Sequence, residues 1–399
     1  MLQFGKDINL ETNVIVLCGI VYIIAFAITA LFVPFSISLA HKTGAIDVPK
    51  DDRRVHTRPI PRIGGVAMFL GISITAIIVS ATGVFQPGAI NQDTGRVFMD
   101  WNWSYIGHSG GSPTLGIVAG GAIIFIMGFI DDLKNLSPKV KLLGQIVAAS
   151  FVYAMGVRIK FVTIFFGDNP TNFSEFTCYI VTVLWIVAIT NTINLVDGLD
   201  GLAGGVIAIA SLCIAYVGYI FGYYVGALPM LAIAGSAMGF LPYNFFPAKT
   251  FMGDCGSQSL GFMLASFSIV GSVKSATVVA VLVPGLALSL PIVDTLLAII
   301  RRAVSGKPIM QADKGHLHHR LLRAGMGQRR TVLCLYGVCG VMGTAAVLFS
   351  RSLYVEAFGL CAVAFLYVYV VLTGPNKKMP KFKETDEEIK KEEEQGFHL

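Results

Sequence analysis

Runs of about twenty apolar residues alternate along this chain with short polar segments. The runs lie near 13–39, 62–82, 112–130, 139–157, 176–191, 202–221, 225–241, 258–272, 276–300, 331–349 and 352–373. As α-helices, segments of this length cross about 30 Å of hydrocarbon. The pattern therefore predicts an all-α integral membrane protein with about eleven transmembrane helices. The first run is too long for a signal-peptide core and has no basic segment before it, so it reads as a retained helix. Residues 83–111 form a long loop rich in Gly, Asn and Trp, and no repeat of fixed period is visible.

Composition agrees with the pattern. Of 399 residues, 54% are hydrophobic and 14% charged, against about 25% charged in a soluble domain, and the mean hydropathy is +0.70. Of the seven cysteines, Cys18, Cys213, Cys334, Cys339 and Cys361 fall in apolar runs. None has metal-type spacing, so they read as small buried side chains.

The placement of the positive charge sets the orientation. Lys42, Lys50, Arg53, Arg54, Arg58 and Arg62 follow the first run, and Lys134, Lys139 and Lys141 follow the third. Arg301, Arg302, Lys307, Lys314, Arg320, Arg323, Arg329 and Arg330 follow the ninth, while the alternate loops hold only Arg96, Arg158, Lys160 and Lys274. The N-terminus is expected outside and the C-terminus in the cytoplasm. The chain divides into a membrane domain, 1–374, and a charged cytoplasmic tail, 375–399, too poor in apolar residues to order itself.

With this orientation the polar clusters 41–65, 131–141, 191–205, 242–257 and 301–330 all fall on the cytoplasmic face. A secondary transporter of an anionic metabolite would place ionisable groups near the midplane, between inverted repeats. Here the spans are nearly free of charge, Asp294 being the main exception, about two turns or roughly 10 Å inside Arg301.

Each cluster has a chemical and a plainer reading. In NTINLVDGLDGLAGG, Asp197 and Asp200 share one face if the segment is helical, as do Asn191 and Asn194. The glycines would let a ligand approach the backbone, although the stretch also suits a polar turn. In GFIDDLK, Asp131 and Asp132 repel and require a counter-charge. Lys134, one turn on, can supply part of it and a divalent cation more, while a solvated helix cap is the alternative. In FMGDCGSQS, Asp254 stands between glycines where the next helix opens, suited to a hard cation that takes phosphate oxygens as its other ligands or to an N-cap. His316, His318 and His319 in GHLHHRL lack the cysteines of a zinc site and suit phosphate or base contacts beside Arg320. His41, Lys42, Asp47, Arg53, Arg54, His56, Arg58 and Arg62 draw a polyanion toward the membrane as a group. Acids for a cation, basic groups and a glycine-rich floor on one face describe a phosphoryl-transfer site.

In that order and on one face, Asp131-Asp132 with Lys134, NLVDGLDGLAGG, FFPAKTFMGDCGS and GHLHHRL resemble the polyprenyl-phosphate N-acetylhexosamine-1-phosphate transferases, glycosyltransferase family 4, over roughly residues 13 to 373. His316-Leu317-His318-His319, PIVDTLLAIIRR with Asp294, Arg301 and Arg302, and DVPKDDRRVHTRPIPRIGG look like the bacterial undecaprenyl-phosphate N-acetylglucosamine-1-phosphate transferase branch. The peptidoglycan branch, which uses UDP-MurNAc-pentapeptide, carries three consecutive histidines.

The resemblance implies transfer of GlcNAc-1-phosphate from UDP-GlcNAc to undecaprenyl phosphate in the bacterial cytoplasmic membrane, with UMP released. That is the first membrane step of teichoic acid, O-antigen or a related glycan. It implies Asp131, Asp132, Asp197 and Asp200 as the catalytic acids, the first two near the lipid phosphate. Lys134, Asn194, His316, His318, His319 and Arg320 would bind substrate. Asp254 and Asp197 would hold Mg²⁺, with Mn²⁺ the alternative. Adjacent helical residues point about 100° apart, so Asp131 is expected to balance Lys134 and Asp132 to face the acceptor phosphate. Expected partners are UDP-GlcNAc, undecaprenyl phosphate and, as an open alternative, a second copy of the chain; nucleic acid is not expected. A CDP-alcohol-type transferase is disfavoured because Asp197-Gly198 is not followed by Ala-Arg.

Overall fold

The computed structural model describes residues 4–49, 58–81, 90–91, 96–97, 113–162, 171–221, 224–270, 283–306 and 315–373. They form helices α1 (Phe4–Thr43), α2 (Gly65–Ala81), α3 (Pro113–Lys134), α4 (Pro138–Ala154), α5 (Glu175–Val196) and α6 (Leu202–Ile220). These continue in α7 (Tyr224–Asn244), α8 (Gly253–Val270), α9 (Ser289–Val304), α10 (Leu317–Arg323), α11 (Gln328–Ser350) and α12 (Tyr354–Thr373). The departures from all-α among the described residues are three two-residue antiparallel ladders: β1 (Ile46–Asp47) with β2 (Ile60–Pro61), β3 (Ile90–Asn91) with β4 (Arg96–Val97), and β5 (Phe161–Val162) with β6 (Thr171–Asn172).

Among the described residues six helices, α1, α3, α5, α6, α7 and α11, are long and apolar enough to cross a membrane, and α2 and α12 carry shorter apolar stretches. The tail 375–399, most of the 83–111 loop, residues 276–282 of the ninth run, His56, and the basic residues Lys50, Arg53, Arg54, Lys274, Lys307 and Lys314 lie outside the described residues.

The helix at the centre shows how a buried helix can carry polar residues. Every residue of α8 from Cys255 to Ile269 is buried, and α8 packs against α2, α3, α5, α6 and α7. A helix walled in by other helices needs no apolar coat for lipid, so α8 tolerates Ser257, Gln258, Ser259, Ser266 and Ser268. Without a hydrophobic force between helices in lipid, close packing through small residues holds such a bundle. A Cβ added at Gly128 would lie 2.6 Å from the Asp254 carbonyl oxygen and from Cys255 Cα. The backbones of α3 and α8 therefore touch there, and Asp131 and Asp132, about one turn further along α3, meet the start of α8. On the other flank, Thr29 Oγ1 donates to Ser236 Oγ (2.9 Å) and Ser236 Oγ to the Met68 carbonyl (3.0 Å), tying α1, α7 and α2 together.

Candidate active site

The polar chemistry gathers where the ends of α3 and α5 meet the starts of α4 and α8. Helix α3 runs through both acids of GFIDDLK and stops at Asn135, whose φ of 52° is a left-handed stop that Asn tolerates. Acids in the last turn oppose the helix dipole, and the structure compensates each differently.

Asp131 is buried. Its Oδ1 accepts the Leu136 N–H (2.6 Å) and its Oδ2 accepts from Lys141 Nζ, which also donates to Asp254 Oδ2 at 3.0 Å. The expected partner, Lys134, is exposed on the last turn of α3 and makes no hydrogen bond or ion pair among the described residues. The turn Leu136-Ser137, with Pro138 opening α4, brings Lys141 back instead.

Asp132 faces α8 rather than open space. Its Oδ1 accepts the Asp254 N–H and its Oδ2 the Cys255 N–H, both at 3.0 Å. This satisfies two of the free amides at the start of α8 and places a negative charge at the positive end of its dipole. Gly253, at φ +69°, leaves the necessary room: a Cβ there would come within 2.6 Å of Asp132 Oδ2. Arg62 completes the junction. Its guanidinium donates to the Asp132 carbonyl (Nε, 2.9 Å) and the Asp131 carbonyl (3.2 Å), and stands 3.7 Å from Asp132 Oδ1.

Asp254 is held from both sides: Asn194 Nδ2 donates to its Oδ1 and to Ser257 Oγ (2.8 Å), while Lys141 takes its Oδ2. One turn earlier in α5, Asn191 Nδ2 donates to Gln145 Oε1 (2.6 Å) and binds α5 to α4.

Asp197 and Asp200 part company. Helix α5 ends at Val196, Asp197 is its C-cap with ψ 50°, and α6 begins at Leu202, so the two acids do not share a helical face. Asp200 is buried, and its Oδ2 accepts the Ala248 N–H at 3.0 Å. Beside it, Asn244 accepts the Gly201 N–H (3.0 Å) and donates to the Thr250 carbonyl (3.0 Å). The 245–252 segment is tied in turn to the 60–65 segment, through Phe251 N–H to the Pro61 carbonyl (2.8 Å) and Gly64 N–H to the Phe251 carbonyl (2.9 Å). Asp197 has no hydrogen-bond donor among the described residues. Burial, then the charges of Asp254, Asp132 and Asp200, push its carboxyl well above the ordinary value.

The glycines of the 191–205 stretch receive protein rather than leaving a floor open. Tyr336 donates to the Gly201 carbonyl and packs its ring on Gly205. His318 lies on Gly198, where an added Cβ would be 2.9 Å from its Nε2. His318 is buried. Burial, helped by the charges of His319 and His316 and opposed by Asp294, lowers its pKa to about 3, so it works as a neutral ring. His316 pairs with Asp294, and the His318 and His319 rings lie 4.3 Å apart. Arg320 is exposed and lines a cavity of about 270 Å³ with Asp294, Arg301 and apolar residues of α9, α11 and α12.

Two basic residues hold the acid cluster together: Lys141, read in the sequence as an orientation signal, and Arg62, read there as an orientation signal and as one of a group drawing a polyanion. A signal existed for the first: a lysine in the first turn of a helix opposes the dipole and so calls for an acidic partner.

Among the described residues no three His, Cys, Asp or Glu side chains are assembled to hold a metal ion. The donor set still fits Mg²⁺, which is held by one or two carboxylates plus substrate phosphates. Asp131, Asp132, Asp197 and Asp254 outnumber Lys141 and Arg62, and the charges that act on Asp197 are those of other acids.

A family model described as glycosyl transferase family 4 matches residues 114–272. A Bacillus subtilis protein named "Probable undecaprenyl-phosphate N-acetylglucosaminyl 1-phosphate transferase" is 33% identical over 366 residues, 91% of this chain and 94% of its own. A Mycolicibacterium smegmatis decaprenyl-phosphate N-acetylglucosaminephosphotransferase is 36% identical over 78% of this chain and 77% of its own. A Bacillus cytotoxicus phospho-N-acetylmuramoyl-pentapeptide-transferase is 26% identical over 82% of this chain and 95% of its own.

Proposed function

Because the chain belongs to the bacterial undecaprenyl-phosphate N-acetylglucosamine-1-phosphate transferase branch of glycosyl transferase family 4, we propose that it transfers N-acetylglucosamine-1-phosphate from UDP-N-acetylglucosamine to undecaprenyl phosphate. An oxygen of the lipid phosphate forms a bond to the sugar-bearing phosphorus, and the bond from that phosphorus to UMP breaks. One phosphoanhydride replaces another, so the reaction is close to reversible. It begins a cell-envelope glycan. The observation that carries the reading is the acid cluster at one end of the bundle: Lys141 joins Asp131 to Asp254, Asp132 binds the Asp254 amide, and Asp197 feels the charges of Asp254 and Asp132.

In this reading Asp254 and Asp197 hold Mg²⁺, whose charge, when it is bound, offsets that developing on the transferred phosphoryl oxygens. The chain's own groups prepare the site. Asp132 fixes the backbone at Asp254, and Asn194 and Lys141 fix its carboxylate. Lys141 also fixes the Asp131 side chain, which in this reading orients the acceptor phosphate or takes its proton. His318, as a neutral ring beside Gly198, offers a hydrogen bond without adding charge. Asp200 ties the acid-bearing turn to the 245–252 segment. Lys134 and Arg320, both exposed, add positive potential that draws the polyanionic donor. We place the N-terminus outside, about eleven spans in the cytoplasmic membrane, and this cluster at the cytoplasmic face, where nucleotide sugars are found.

Release of UMP by the purified protein in detergent, with undecaprenyl phosphate and either UDP-GlcNAc, UDP-GalNAc or UDP-MurNAc-pentapeptide, tests the reading. UDP-GlcNAc should be turned over best. Preference for the pentapeptide donor would move the chain to the peptidoglycan branch, and no UMP from any donor would refute transfer.

A further inference from the structure

Asp294 lies in α9, outside the acid cluster, and no step above uses it. Its side chain is 12% exposed, and both of its oxygens are engaged. Oδ2 is 2.9 Å from His316 Nδ1, and Oδ1 accepts the Leu317 N–H at 2.9 Å. Leu317 is the first residue of α10, and His316 at the N-cap position makes no capping bond with its own side chain. The cap is supplied from another helix, 23 residues back in the chain. A carboxylate at a helix N-terminus also suits the dipole.

The contact continues inward. A carboxylate on Nδ1 fixes the plane of an imidazole and the position of its proton. The His316 and His318 rings are parallel to within 5°, with centroids 5.7 Å apart. His318 Nε2 then stands over Gly198, next to Asp197. A ring stacked on a pinned ring, at the start of a capped helix, has little freedom to leave the turn it covers.

We infer that Asp294 is a positioning residue: it seats His316 and the first turn of α10, and through the His316–His318 stack holds His318 against the 197–201 turn. Its kinetic consequence rests on the transferase reading, whereas the seating rests on the geometry alone.

Amide hydrogen exchange across 315–323 and UMP-release kinetics separate the two. Asp294→Ala should speed exchange at Leu317 by about tenfold, as loss of a buried acceptor implies, with exchange in α8 unchanged. It should lower kcat/KM for UDP-GlcNAc by at least about tenfold. Asp294→Asn keeps the volume and one acceptor and should fall between; it carries the test if the alanine variant does not purify as a monodisperse protein. Asp294→Ala combined with His316→Ala should lose less than the product of the two single losses, because the His316 contact they share is removed only once. Unchanged exchange in 315–323 overturns the seating. Faster exchange with kcat/KM within about twofold of wild type, or losses that multiply in the double variant, overturns the positioning role. If the wild type does not use UDP-GlcNAc, the transferase reading fails, and exchange alone decides the seating.

Discussion

Lys141→Met is the most informative single change in the site. Methionine keeps the length and the packing of the stem but removes the ammonium that joins Asp131 Oδ2 to Asp254 Oδ2. At an effective dielectric of about 20, an ion pair at the 3.0 Å of the Asp254 contact gains about 5–6 kcal/mol of Coulomb energy. Desolvation of the ammonium offsets much of it. Removing one partner of a buried pair costs about 3–5 kcal/mol, and the low end applies because the Lys141 side chain is 24% exposed. We expect a loss of about 3 kcal/mol, a fall in Tm of about 4 °C for a chain of this size. Turnover should fall by about 100-fold, or roughly 2.7 kcal/mol of barrier, since Asp254 loses its orientation. The double variant Lys141→Met with Asp131→Asn removes one of the two stranded acids, the other being held by Asn194. It should recover most of the Tm while activity stays low, a coupling that a double-mutant cycle reads directly. A differential scanning fluorimetry trace within about 1 °C of wild type, with more than about half the activity kept, would show that Lys141 does not hold the cluster.

Asp132→Asn retains one acceptor for two amides, so we expect a stability loss of about 1–2 kcal/mol and a larger fall in kcat than for Asp131→Asn. Equal losses in the two variants would remove the capping account. For Asp254→Asn we expect a folded protein with nearly all turnover lost and little rescue by added Mg²⁺; retention of more than about a tenth of activity, under roughly 1.4 kcal/mol, would exclude it as a principal ligand. Below pH 6.5 the unfolded chain takes up a proton at His318 that the folded chain, with its pKa near 3, refuses. Stability should therefore decline as pH falls through this window, by at most about 1.4 kcal/mol per unit. His318→Gln should flatten the slope, and an unchanged slope would contradict the burial argument. In a background without the seven native cysteines, an impermeant thiol reagent applied from outside should label a cysteine at Asn91 and not one at Lys139; the reverse pattern would invert the orientation and separate the site from cytosolic donor.

By itself the sequence determined the class of the protein, the places where the long apolar helices among the described residues run, and the motifs that carry its chemistry. Those are local or additive properties: a window of apolar residues has no alternative to a helix in a medium without hydrogen-bond partners, and acids at the edges of such windows are too costly to be incidental. Sequence spacing did not determine which group faces which. Lys134 is one turn from Asp131, yet Lys141, ten residues on, makes the bond, because the α3–α4 turn folds it back. Asp132 caps α8 across 122 residues because Gly128 lets α3 and α8 touch. Asp197 and Asp200 separate because α5 ends at Val196, which frees one acid to stand among other carboxylates and turns the other to the Ala248 amide. Pairing of this kind is decided by backbone approach, helix ends and the need of every buried polar group for a partner, and those demands are met only when distant segments of the chain are brought together.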